Sequence, residues 1–197
     1  MSAEGQSFDQ LISQARLLRQ RGENKKAIAS YQQALTLNPE AADALNEMGL
    51  AHIHIGEQFE AITAFDRAID IQAHEPTGHS NKVEAYLTVG DFAGALAAAE
   101  KGLFAIPESA QLWVKKARAL ESFLKIPEAI EAYNESLRHD SDNPETWKAL
   151  ALCLDAQEKW SEVARAYRIA AALHRKRGEY RDSESCSKFA SMAEKTV

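Results

Sequence analysis

Apolar residues recur along this chain at steps of three, four and seven with polar residues between them, the periodicity of one face of an α-helix. In Asn24–Leu37 the stripe includes Ile28 and Leu35, and in Gln58–Ile71 it includes Ile62 and Ile69. Both segments are predicted helices, each preceded by another amphipathic segment. The pattern then repeats. Alanines stand at Ala27, Ala61, Ala95 and Ala129, each 34 positions after the last, and Val163 continues the series. An aromatic column follows at Tyr31, Phe65, Tyr133 and Tyr167, broken by Ala99, and behind it run Ala34, Ala68, Gly102, Ser136 and Ala170. The first half of each unit carries a compact column, Ala15, Gly49, Val83, Ala117 and Ala151. A larger one, Leu18, His52, Tyr86, Leu120 and Leu154, lies three residues further on.

These columns have a mechanical meaning. Small residues at facing positions let two antiparallel helices approach closely, and large ones fill the space that remains. Gly22, Gly56 and Gly90 keep the same step at the turn within each unit. Pro39, Pro76, Pro107, Pro127 and Pro144 all fall between predicted helices or in a first helical turn. A proline in a helix interior would cost about 3 kcal/mol or more. The prolines and the apolar periodicity therefore divide the chain at the same places.

A 34-residue helix pair with small, aromatic and alanine columns, ending near Pro39 or Pro107, resembles the tetratricopeptide repeat. The second unit carries the resemblance best, with Leu45, Gly49, Gly56, Ala61, Phe65 and Ala68. Five repeats are predicted, at residues 8–41, 42–75, 76–109, 110–143 and 144–177, after a flexible tail at 1–7. The resemblance implies an all-α solenoid, a right-handed superhelix of antiparallel helix pairs whose first helices line a concave groove. Groove-facing residues under that resemblance are Arg16 in the first repeat and Asn46, Leu50 and Ile53 in the second. Asn81, Glu84 and Leu87 follow in the third, Lys115 and Arg118 in the fourth, and Lys148 in the fifth. Apolar residues flanked by asparagines and cations suit a peptide, the amides pairing with its backbone and the cations with its acidic groups. Co-chaperones of this family grip a carboxylate tail with a set of Lys, Asn and Arg. Here only fragments of that set stand at the corresponding positions, among them Asn46, Asn81 and Lys115, so that specificity is not expected.

Departures from the pattern carry their own expectations. The third repeat has His79 at a bulky position, Ala99 at the aromatic one and Gly102 at the alanine one. It is expected to pack thinly, with Trp113 of the next repeat filling space. Leu124 replaces the turn glycine in the fourth repeat, and Glu158 stands at that position in the fifth. After the fifth repeat Gly178 opens another turn only 20 residues beyond Glu158. The helix from about Ser161 to Arg177 should therefore pair on both sides, and residues 178–197 should form a capping helix. Tyr180, Phe189 and Met192 are its expected apolar anchors.

Composition narrows the function. The net charge of −6 argues against a nucleic-acid surface built on a broad basic face. Two cysteines, Cys153 and Cys186, are too few for a disulfide framework and indicate a reducing compartment, with a cytoplasmic protein as the default. No segment has the length and apolarity of a membrane span, and the first seven residues lack the basic and apolar regions of a secretory signal. His52 and His54 stand two apart on a predicted helix and point to different sides, so they cannot chelate one metal together. No nucleophile elbow, zinc-protease, phosphate-loop or dinucleotide motif occurs. No catalytic residue, metal or cofactor is expected. The expected function is a protein-interaction module or adaptor that holds a protein or peptide in its groove. The alternative is a structural scaffold that self-associates into a homo-oligomer through its repeats, which light scattering over a concentration series would reveal.

Overall fold

A computed structural model of the protein describes residues 6–196. The described residues form eleven α-helices and no strand, an all-α solenoid of helix pairs. They fall into two compact units that meet in sequence at Ile106 and Pro107. The first unit contains α1 (Phe8–Gln20), α2 (Asn24–Leu37), α3 (Ala42–His54), α4 (Gln58–Ile71), α5 (Pro76–Val89) and α6 (Phe92–Ala105). The second contains α7 (Ala110–Ser122), α8 (Ile126–His139), α9 (Pro144–Asp155), α10 (Trp160–Lys176) and α11 (Tyr180–Thr196).

Within each pair the turn is built the same way. An N–H just past the turn bonds back to a carbonyl five residues earlier: Glu23 to Leu18, Glu57 to His52, Asp91 to Tyr86, Lys125 to Leu120, Lys159 to Leu154 and Glu179 to His174. That bond closes only if the intervening residue is left-handed. Gly22, Gly56, Gly90 and Gly178 supply φ values of 76° to 81° without strain. Leu124 and Glu158 take the same conformation, at φ 58° and 57°, against the clash of their own Cβ. Helix starts are marked locally. Ser7 and Gln10 form a reciprocal capping box on α1, and Asp91, Ser109 and Asn143 accept from first-turn amides of α6, α7 and α9. Ser7 thus belongs to the folded chain. Gln6 is also described, its amide donating to Gln14 at 3.0 Å, and the rest of the expected flexible tail, residues 1–5, lies outside the described residues.

The core follows from paired volumes. Ala15, Gly49, Ala117 and Ala151 sit on first helices, and the rings of Tyr31, Phe65, Tyr133 and Tyr167 are buried on the second helices. At Gly49 the approach is so close that an added Cβ would lie 2.4 Å from the Phe65 ring. The third pair inverts the arrangement, with the larger Val83 on α5 and the smaller Ala99 on α6, both at 0% exposure. The Tyr86 ring packs so near Gly94 that a Cβ there would come within 2.7 Å of it. The third repeat is the thin one, as expected: volume has moved in part from the second helix to the first, but Val83 does not replace the ring missing at Ala99, and α5 and α6 touch less extensively than the helices of the other repeats. Trp113 of the next repeat is half-buried. Its indole N–H donates to the Pro107 carbonyl at 2.8 Å, as Trp147 donates to Ser141 at 2.8 Å. His79, in the same column, meets the Ala73 carbonyl at 3.0 Å. One histidine and two tryptophans tie down the equivalent loop in successive repeats.

At the C-terminus α10 packs against both α9 and α11, so one helix serves two pairs. The expected anchors of α11 are not its buried residues. Tyr180, Phe189 and Met192 are largely exposed, and the inward face is Ser183, Cys186, Ala190 and Ala193. Close approach of two 17-residue helices requires small residues at their contact, which leaves the large ones outside.

Candidate interaction surfaces on the first helices

In the first unit the predicted groove residues come from α1, α3 and α5. Arg16 of α1 reaches Glu47 of α3 through Nε at 2.8 Å and Nη2 at 2.6 Å. Glu47 also accepts from the Tyr31 hydroxyl at 2.6 Å, and Arg19 stands 3.8 Å away. Burial pushes the Glu47 carboxyl upward, but the Arg16 and Tyr31 hydrogen bonds outweigh it and hold the group below its ordinary range. Desolvation and the neighbouring carboxylate raise the Tyr31 hydroxyl well above that of a free tyrosine. This latch joins the first helix pair to the next.

Asn46 is not a groove donor. It is 7% exposed, and its Oδ1 lies beside Gly78, where an added Cβ would be 3.5 Å away. The side chain sits at the junction of α3 and α5, with Oδ1 unpaired. The physical reason is its position on α3, which faces the next pair, as Ile12 and the buried Ser80 do at the equivalent positions. Leu50 and Ile53 are half-buried and pack with Ile62 against Ala61, Phe65 and Ala85. On α5, directly beside α3, Asn81, Glu84 and Leu87 are also half-buried. The first unit thus brings Leu50, Ile53, Asn81, Glu84 and Leu87 onto two adjacent helices, with Arg16 on a third.

In the second unit Lys115 and Arg118 lie on α7 and Lys148 on α9. Arg118 is exposed and Lys115 half-buried. Lys148 bonds to Glu145 at 2.9 Å, which holds its ammonium above the ordinary lysine value. Sequence reasoning passed over a second latch here. Glu121 of α7 accepts from the Tyr133 hydroxyl of α8 through Oε2 and from the Cys153 thiol of α9, at 3.3 Å, through Oε1. Burial, reinforced by Glu121, pushes the Cys153 thiol up to about 12 and the Tyr133 hydroxyl further still. Only part of its signal was available, the tyrosines that share one 34-residue column; the acid stands at a different repeat position from Glu47. His52, by contrast, pairs with Glu57 at 2.7 Å while His54 is exposed, so the two imidazoles have separate environments. Among the described residues no three His, Cys, Asp or Glu side chains form a metal-binding group, and no helix is long and apolar enough to cross a membrane.

The comparisons with known proteins agree with this architecture. A "TPR repeat" family model matches residues 15–56 and a "Tetratricopeptide repeat" model matches residues 81–144, together just over half of the chain. The heat shock protein Sti1 homolog of Schizosaccharomyces pombe is 29% identical over 132 residues, covering 67% of this chain and 22% of that protein. The chain spans less than a third of the length of the curated relatives it matches, 22% of one and 30% of another. A thermophilic TPR protein of Thermus thermophilus superposes with a TM-score of 0.70 at 18% identity, over 91% of this chain and 98% of that one. MamA of Desulfovibrio magneticus gives 0.69 at 18% identity, over 88% and 98%. Proteins of this kind are in general scaffolds for protein interaction, and the fold is not a catalytic one. With its 34-residue columns, its six like turns and these two matches, the chain belongs to the tetratricopeptide repeat family.

Proposed function

We propose that the protein is an adaptor whose first-helix faces hold a segment of a protein partner. One observation carries this reading. Asn81, Glu84 and Leu87 of α5 and Leu50 and Ile53 of α3 remain partly accessible on neighbouring helices, although the packing columns already account for the core. Such a surface offers amide, carboxylate and apolar groups at helical spacing, which suits an extended or helical peptide. The second unit by itself presents cations on its own first helices, Arg118 and Lys115 on α7 and Lys148 on α9, which suit acidic groups of a partner. The setting is cytoplasmic in this reading, supported by two buried cysteines, Cys153 and Cys186, that are free of disulfides.

The test is affinity capture from the native cell extract with the wild-type chain and a Leu87→Asp, Arg118→Glu double variant. Far-UV circular dichroism and thermal unfolding establish that the variant is folded. Loss of the partners captured by the wild type is the expected result. An identical set captured by a folded variant would remove the first-helix faces from the function.

A further inference from the structure

Unit 2 contains a groove of about 300 Å³ between three helices. Leu152 and Asp155 of α9, Trp160 and Tyr167 of α10, and Phe189 and Met192 of α11 line it. Its apolar residues are open to solvent to an unusual degree: Leu152 is 60% exposed, Phe189 50% and Met192 62%. Phe189 stacks on Tyr167 with ring centroids 5.3 Å apart and planes at 27°, which holds one wall of the groove in place.

Two polar groups in this lining have no internal partner. In the tyrosine column, Tyr31 donates to Glu47 and Tyr133 to Glu121. Among the described residues nothing accepts from the Tyr167 hydroxyl. Asp155 is the charged residue of the lining, and among the described residues no cation pairs with its carboxylate. Lys148, whose charge acts on the Tyr167 hydroxyl, is bonded to Glu145. A lone exposed carboxylate or a lone exposed phenylalanine is ordinary. Here the unpaired acid, a solvent-reached hydroxyl free to bond a ligand and three exposed apolar side chains border one concavity. Its volume suits one or two side chains better than a whole cofactor.

We propose that this groove is the anchor site of the partner segment and takes an aromatic or long aliphatic side chain next to a lysine or arginine. The apolar side chain lies against Leu152, Trp160 and Met192, the cation pairs with Asp155, and a backbone group of the segment meets the Tyr167 hydroxyl. The inference rests on the peptide-holding reading above and gives it a location and a preferred chemistry.

The probes are three capped dipeptides, N-acetyl-Phe-Arg amide, N-acetyl-Phe-Glu amide and N-acetyl-Gly-Arg amide, titrated at millimolar concentration into the isotope-labelled full chain and followed by NMR. Trp160→Phe assigns the Trp160 indole signal. The Phe-Arg probe should shift that signal and those of Leu152 and Phe189 saturably. It should bind about threefold or more tighter than Phe-Glu, the range of an exposed charge pair, and Gly-Arg should shift none of them. Asp155→Asn should bring Phe-Arg and Phe-Glu to equal affinity. Met192→Glu, at an exposed position, should abolish both while leaving the rest of the spectrum in place. Absence of saturable shifts at these residues, or an arginine preference that survives Asp155→Asn, overturns the proposal. Shifts at the same signals on concentrating the chain alone would do so too, by assigning the groove to a second copy. If the dipeptides fail here while Leu87→Asp, Arg118→Glu still abolishes capture, the anchor falls and the adaptor reading stands.

Discussion

Gly49→Ala sets two physical effects against each other, and they predict opposite signs. Within a helix, alanine is favoured over glycine by about 1 kcal/mol. Gly49 lies in α3, so propensity alone makes the change stabilising. The new Cβ, however, would stand 2.4, 2.8 and 2.9 Å from three atoms of the Phe65 ring. Ordinary van der Waals contact needs the ring to retreat by about 1 Å or more. Phe65 is completely buried, so its ring can retreat only by displacing its packed neighbours. Overpacking costs about 1–3 kcal/mol, and a ring forced to move this far lies in the upper part of that range, about 2–3 kcal/mol, so after the propensity gain of about 1 kcal/mol the net expectation is a destabilisation of about 1–2 kcal/mol. The pair Gly49→Ala, Phe65→Leu restores the summed volume and should recover much of that loss, giving a coupling of about 1 kcal/mol. Helix arrays do not always unfold in one step. The suitable assay is therefore native-state hydrogen exchange of α3 and α4 amides, alongside urea unfolding of both single variants and the pair. A neutral or stabilised Gly49→Ala, or strictly additive changes, would refute the claim that close approach sets this column.

Leu124→Gly and Glu158→Gly should each raise stability by about 0.5–1 kcal/mol, because they relieve left-handed strain at the cost of some unfolded-state entropy; a thermal melt of each variant measures it. Glu47, with its folded value below the unfolded one, stabilises the fold fully above the ordinary carboxylate range near 4.5. That contribution is lost as the pH falls through the lower folded value. Urea unfolding of wild type and Glu47→Gln should therefore differ most above about pH 5 and converge in acid, and a gap that widens on acidification would contradict the latch.

Much of the fold was legible in the chain because its signals are local. The stripes through Ile28 and Ile62 marked α2 and α4 with the boundaries observed, since helical periodicity and turn chemistry act within one unit. What escaped depends on pairs of residues. Ala99 reads as a loss of packing, and the compensation, a buried Val83 on the other helix of the same pair that makes up part of the missing volume, shows only in the folded pair. Asn46 reads as a groove donor because an amide is polar, whereas its position on α3 faces the following pair. On α11 the large side chains draw attention, although the contact with α10 selects Ser183, Cys186, Ala190 and Ala193. The Glu121 latch required three residues from three helices, and no spacing along one helix reports that.

The double use of α10 decides where this array can be lengthened. The first five pairs each bring their own first helix, so a further 34-residue module inserted between His139 and Pro144 would meet the same faces as its neighbours. Beyond α10 the rule changes. The sixth pair saves a helix by borrowing α10, and Phe189 of α11 lies on Tyr167, the residue whose counterpart Tyr31 meets Glu47 of the following first helix. A module appended after α11 would find that landing place taken. The short step from Glu158 to Gly178 thus acts as a punctuation mark, and an engineer extending the series would have to write ahead of it.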